Sequence, residues 1–349
     1  MPRTDFRLPR VIAGDHVVAN LECSFSDAAT PELKAHSVVM GIDAMDRVRR
    51  SNVAAFSVAN NHVYDAGVDA FDRMIERLNS LEDIQFYGLK DRPFAKLNCN
   101  GLRIAVIGCL EPCRARGPKL IREEDVTDLI LQIRSRFDRV YVTPHWGREG
   151  ELACHPSPRQ LRRAREWIAA GADGIFGHHS HTIHGHETIN GKPVFYSLGN
   201  YQFDHVEGHV YPLAAFGLVV RIDPSLDSPA VVIHKSFVHQ HAAGAVPVEP
   251  DVAAQLEQHF EQVSVDLMHW NALAWARHVG PVYISKSRNS WRKRFRQNPT
   301  RTLPLWTVWN CLPSTILLRL GAVLKARGFL NRIEELGRTL PARPRSHPS

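Results

Sequence analysis

Over its first two-thirds the chain alternates short apolar runs with segments of helical period. Residues 53–58, 103–109, 139–143, 174–176 and 194–198 are apolar runs that predict buried strands. Two longer alternating runs, 216–222 and 231–238, also predict strands. Helices are predicted over 42–50, 68–80, 123–135 and 159–170. In the last of these, Leu161, Ala164, Trp167 and Ile168 share one face opposite arginines, and Gly171 stands where a C-cap glycine belongs. Strand and helix in alternation, followed by antiparallel-looking strands, predict an α/β layered fold.

The pattern changes after residue 245. Residues 252–275 have a helical period, 283–301 predict a basic loop, and 303–330 are apolar but interrupted by Pro304 and Pro313. Residues 341–349, rich in Pro and Arg, predict a disordered tail. Charge sharpens the division. Residues 267–333 hold twelve Lys or Arg and no Asp or Glu, together with Trp270, Trp275, Trp291, Trp306 and Trp309. The remainder carries more acid than base. The expected organisation is a body over 1–245, a helical, basic, Trp-rich extension over 246–340, and the tail.

Composition sets broad limits. With 349 residues, 44% of them hydrophobic, the chain can build one large domain, or one domain plus an appendage. Its six cysteines form no CxxC pair, so neither a disulfide scaffold nor a zinc ribbon is expected, and a reducing compartment fits. No apolar run follows the first residues, and no uninterrupted apolar stretch reaches the ~20 residues of a spanning helix. The expected location is the cytoplasm or the inner face of a membrane.

The candidate chemistry sits just behind the predicted strands. Asn20 and Glu22 follow the run 17–19, and Asn60, Asn61 and His62 follow 56–58, with Asp65 and Gly67 close behind. His145 and Glu149 follow 141–142, His178, His179 and His181 follow 173–176, and Asn200 follows 196–198. Polar tips on successive strands are what an α/β active site looks like. Singly they are weak signals: Asn60-Asn61 also suits a plain turn, and Asp65 a helix start. His179 and His181 are two apart, so an extended segment would turn both imidazoles to one side, a two-ligand grip on a divalent cation. A loop of solvated histidines is the alternative. A donor set of Glu, Asn and His without thiolate suits Mn, Fe or Zn, and two such ions would hold a hydroxide for in-line attack on phosphorus.

These residues resemble the CapA family of poly-γ-glutamate capsule-biosynthesis proteins, within the calcineurin-like metallophosphoesterase superfamily. The resemblance is carried by Asn20-Leu-Glu22, Ala59-Asn-Asn-His62 with Asp65 and Gly67, and His145-Trp-Gly147 with Glu149. It continues through Gly171-Ala-Asp173, Gly177-His-His-Ser-His181, and Tyr196-Ser-Leu-Gly-Asn200 with Phe203. It implies a four-layered αββα sandwich with one or two divalent metals at the strand ends. It further implies Glu22, Asn61, His145, His179 and His181 as ligands, His62 as the acid, Asp65 as its orienting partner, and Asn20, Asn60, Glu149 and Asn200 around the pocket. In one respect the chain departs from the family. An opening strand ending in Gly-Asp has no counterpart, because Gly14-Asp15 falls too close to Glu22. Either the chain start is truncated or mis-set, or the first strand and one carboxylate ligand are missing from this member.

Two functions compete. The first is a metal-dependent phosphoesterase-like hydrolase, acting on a phosphoester or anionic polymer in capsule or exopolymer synthesis. The second is a non-catalytic assembly factor in a polymer synthase complex, or a polymer-binding module using the same cleft. The basic residues of 286–330, interleaved with Trp and Leu, suit an anionic membrane surface. Nucleic acid is not expected, since no binding motif accompanies the charge.

Overall fold

The computed structural model describes residues 16–26, 37–41, 53–81, 84–111, 119–202, 212–226, 233–241, 244–310 and 312–326. The chain divides into two compact units that part between His269 and Trp270. The first unit is a mixed α/β body. Its first sheet is parallel, in the order β1 (Val17–Asn20), β4 (Val53–Ser57), β5 (Gln85–Tyr87). Beside it, β2 (Ser24–Phe25) and β3 (Val39–Met40) form a short parallel pair.

The second sheet has six strands. They are β6 (Phe94–Cys99), β7 (Leu102–Leu110), β8 (Arg139–His145), β9 (Gly174–Phe176), β10 (His186–Ile189) and β11 (Lys192–Phe195), in the order β10-β11-β9-β8-β7-β6. Its four central strands run parallel, and β6 and β10 pair antiparallel at the edges. β12 (Phe216–Ile222), β13 (Ile233–His241) and β14 (Gly244–Pro247) form an antiparallel sheet.

The layers follow from which residues are apolar. Helix α1 (Val68–Asn79) presents Phe71, Met74 and Leu78 at helical spacing, and they pack with Val53, Phe56 and Phe86. Ala55 and Tyr87, from the other face of those strands, join Ile104, Val106, Tyr141 and Phe195 in a core between the two sheets. Alternation along β7 and β8 leaves Ala105, Ile107, Val140 and Val142 on the far face, all buried. Helices α2 (Val126–Ile133) and α3 (Pro158–Ala170) supply the matching apolar faces: Val126, Ile130, Ile133, Leu161, Ala164 and Trp167. The result is helix, sheet, sheet, helix. Helix α3 begins with a capping box between Ser157 and Gln160 and ends at Gly171, whose φ of 112° needs glycine.

Helix α4 (Pro250–Asp266) belongs to the first unit, so that unit extends beyond the expected limit at residue 245. Its Phe260 stacks on His186 of β10, with ring centroids 4.9 Å apart. The helix expected over 252–275 is interrupted by a 3-10 turn, Leu267–His269, after which Asn271 caps the next helix through the Leu273 and Ala274 amides.

The second unit is helical: α5 (Ala272–Gln297), α6 (Pro299–Asn310) and α7 (Pro313–Ala326). The basic stretch expected as a loop over 283–301 is helix instead. Lys and Arg are good helix formers, so a run of charge does not mark a loop. Pro304 lies inside α6, while Pro313 opens α7 at the position a proline tolerates best. The helix expected over 42–50 and the tail 341–349 lie outside the described residues. No described helix is long and apolar enough to cross a membrane.

Candidate metal centre

Parallel strands bring their carboxyl ends to one edge, and the polar tips gather there. Glu22 follows β1, Asn61 and His62 follow β4, His145 closes β8, and His179 and His181 follow β9. The two sheets face each other, so residues far apart in sequence meet at this edge. Glu22, His145 and His179 each offer a ligand atom within 4.8 Å of the others.

His145 Nε2 is the centre of the cluster. It lies 2.6 Å from Asn61 Oδ1, 3.0 Å from His179 Nδ1 and 3.4 Å from Glu22 Oε1. A single N–H can serve only one of these acceptors. His181 Nε2 and His62 Nε2 stand 3.8 and 4.0 Å from the same Glu22 oxygen. Burial by itself raises the Glu22 carboxyl, but His145 and His181 beside it outweigh burial and leave it below its ordinary value. His179 is pushed down to about 3, first by burial and then by His145, so it is a neutral ring with a lone pair to offer.

The histidines do not reach this point through extended chain. β9 ends at Phe176, and His179 and His181 take φ of 97° and 60°. The expected strand-like alternation is thus replaced by a loop of left-handed residues. Such backbone costs a non-glycine residue on the order of 1–3 kcal/mol and persists where surrounding contacts impose it. His178 bridges in parallel to His145, its amide donating to the Pro144 carbonyl. Gly177 donates to the Phe195 carbonyl and accepts from the Leu198 amide, which anchors the loop at its start.

Neighbouring side chains set the rings. Asn200 Nδ2 donates to the Ala214 carbonyl, so its Oδ1 is turned to His181 Nδ1 at 2.9 Å. His181 therefore donates from Nδ1 and turns Nε2 toward Glu22. His62 Nδ1 lies 2.6 Å from Asp65 Oδ2, a carboxylate that also accepts from the Val38 amide. Burial opposes protonation of His62, yet the Asp65 hydrogen bond and the Glu22 and Asp65 charges leave its pKa above the ordinary value. Asn20 Nδ2 sits 3.3 Å from Glu22 Oε2 and 3.4 Å from His145 Nδ1.

The remaining expected residues fall differently. Asn60 is fully buried; it donates to the Leu21 carbonyl and accepts from the His62 amide, tying the two loops of the first sheet together. Glu149 lies in a 3-10 turn, Arg148–Gly150, and its side chain is outside the described residues, as is Gly14-Asp15. Two carboxylates were not singled out from sequence. Glu151 Oε2 lies 3.9 Å from His179 Nε2. Glu111, at the end of β7, accepts from the Gly147 and Arg148 amides at 2.6 and 3.0 Å and so clamps the turn behind His145. Glu111 follows a strand like the other tips, and that signal could have found it.

The donor set fits a divalent cation. Glu22 Oε1 and His179 Nε2 are buried without a hydrogen-bond partner, a costly condition unless something else satisfies them. Carboxylate oxygen, amide oxygen and imidazole nitrogen are the ligands that Mn, Fe or Zn accept together. Among the described residues no cysteine approaches the set as a fourth ligand of a structural zinc site.

Over 166 residues the chain is 33% identical to the PGA biosynthesis protein CapA of Bacillus subtilis, covering 44% of this chain and 43% of that protein. It is 30% identical over 181 residues to the capsule biosynthesis protein CapA of Bacillus anthracis, covering 46% and 43%. The chain thus spans less than half the length of these curated relatives. A phosphatase structure from Mycoplasma pneumoniae aligns over 71% of this chain and 87% of its own, at 12% identity and a TM-score of 0.39. Residues 7–205, which include every residue of the cluster, match the model of the bacterial capsule synthesis protein PGA_cap, and the chain belongs to that family.

Proposed function

We propose that the chain is a metal-dependent, phosphoesterase-like hydrolase of the CapA type, serving the synthesis of capsule, poly-γ-glutamate or a related exopolymer. The observation that carries this reading is the crowding of Glu22, His145 and His179 donor atoms within 4.8 Å, beside the His62–Asp65 pair. The names of the Bacillus relatives supply the biosynthetic context. Glu22, Asn61, His145, His179 and His181 would hold one or two ions of Mn, Fe or Zn. Such an ion, when bound, polarises a phosphoryl oxygen and supplies hydroxide at neutral pH.

The chain's own part is positional. Asn200 fixes His181 with its Nε2 toward the cluster. Glu151 Oε2 stands 3.9 Å from His179 Nε2, beyond hydrogen-bond reach, and by closing that gap would hold the ring with Nδ1 toward His145, as a carboxylate does behind a ligating histidine. Asp65 engages His62 Nδ1, so Nε2 is the nitrogen turned to the cluster. Its raised pKa favours the doubly protonated ring, whose Nε2 proton would then be placed for a leaving oxygen.

Metal analysis of the purified chain, joined to hydrolysis of an aryl phosphate, tests the reading. The expected result is a bound transition metal and turnover that chelator abolishes and metal restores. His179→Ala should lose both. Glu151→Gln should weaken metal affinity by about 10–100-fold while leaving the fold intact. A fully metallated protein that turns over no phosphoester would overturn the hydrolase and favour the assembly factor or polymer-binding module.

A further inference from the structure

The helical unit carries a cleft that the family match does not reach. It has a volume of about 360 Å³, within the range of ligand pockets, and is lined by residues 284–319. Its walls are aromatic and aliphatic: Trp291, Phe295, Leu303, Trp306 and Trp309. Three guanidinium groups, those of Arg288, Arg292 and Arg319, share the lining. The Trp291 and Trp309 rings meet at 5.4 Å, and Trp309 Nε1 donates to the Tyr283 hydroxyl at 2.9 Å, which holds the aromatic wall in place. Arg319 lies over the Trp309 ring at 5.3 Å.

The same unit carries a second feature. Leu312, the residue before α7, and Ile316 and Leu320 within it follow one another at i, i+4 and i+8, and all three are exposed, Ile316 at 55%. On α6, Leu303 is 56% exposed and Trp306 37%. Apolar residues repeated on one helix face and left in water call for a cover. The charge says which kind. No Asp or Glu occurs in 267–333, so the sequence offers the cleft arginines no carboxylate from these helices.

We propose that this unit docks on the surface of a bilayer rich in anionic phospholipid. Arg288, Arg292 and Arg319 receive headgroup phosphates, and the Trp wall and the 312–316–320 stripe enter the headgroup and upper acyl layer. Tryptophan beside arginine is the combination this layer favours. A spanning helix does not compete, since no described helix is long and apolar enough. Nucleic acid would use the arginines and stack on the indoles, but would leave the α7 stripe in water.

Co-sedimentation of the full chain with vesicles tests the proposal. The chain should bind vesicles containing phosphatidylglycerol, bind pure phosphatidylcholine far more weakly, and release as salt rises. Each of Arg288→Gln and Arg292→Gln, both exposed positions, should weaken binding about fivefold. Ile316→Ser with Leu320→Ser should weaken it further, with helix content by circular dichroism unchanged. Tryptophan emission should shift to the blue on binding. Absence of binding to anionic vesicles, equal binding to neutral ones, or variants that bind like the wild type would each overturn the proposal. Full displacement by a single-stranded oligonucleotide would overturn it in favour of a nucleic-acid surface.

Discussion

His184 shows what a buried ring does when it is not part of the metal set. Its Nε2–H donates to the Ala153 carbonyl at 2.8 Å, and its Nδ1 is buried without a partner. Burial first, and then His155, push its pKa down to about 3 from an ordinary 6.5, although the Ala153 bond opposes them. The unfolded chain therefore takes up a proton before the folded one as pH falls. Stability from this group is complete above pH 6.5 and is lost progressively toward pH 3. The loss is on the order of a few kcal/mol. Urea unfolding across that window should show stability rising with pH, and His184→Gln should flatten the slope. A variant slope equal to that of the wild type would refute the burial argument. Side-chain types at Glu22, Asn61, His145, His179 and His181 are plain in the sequence. Which nitrogen His181 turns to the cluster is not, because Asn200 fixes that ring from another loop.

At the scale of elements, the join between β9 and the histidine loop is the critical one. A Cβ on Gly177 would fall 2.2 Å from the Tyr196 carbonyl oxygen and 2.3 Å from Trp146 Nε1, which are themselves hydrogen bonded. Backbone and a buried indole cannot both retreat. Gly177→Ala should cost about 1–3 kcal/mol or more and should lower metal content, because the loop it displaces carries His179 and His181. Thermal unfolding together with metal analysis checks this; a variant with wild-type stability and metal content would refute it. Central strands such as β8 were legible because parallel strands covered on both faces are nearly continuous apolar runs. β5, three residues long, and β10, with its polar edge, carry too little period to be seen. The α5–α7 contact was equally hidden. Gly280 approaches the Leu318 carbonyl and Gly321 the Ala276 backbone so closely that no side chain fits, a match of two distant glycines that spacing does not reveal.

On the scale of the whole molecule, all the candidate ligands belong to the first unit, so a metal held by them would act on that unit's stability. An ion bound at a hundredfold excess over its dissociation constant adds about 2.7 kcal/mol. Chelation should therefore speed amide hydrogen exchange in β4, β8 and β9 and leave α5 and α7 unchanged. Equal loss of protection in both units would refute a role for metal confined to the first. Several features were settled by the sequence alone: the α/β class, the basic character of the C-terminal part, and the donor types behind each central strand. These are local properties of period, composition and spacing. The tertiary structure alone decided that Glu22 of one sheet meets His145 and His179 of the other, that Glu151 and Glu111 stand behind them, and that two histidines arrive through left-handed backbone. Sheets facing one another make contacts between residues far apart in the chain, and no local pattern encodes which of them will touch.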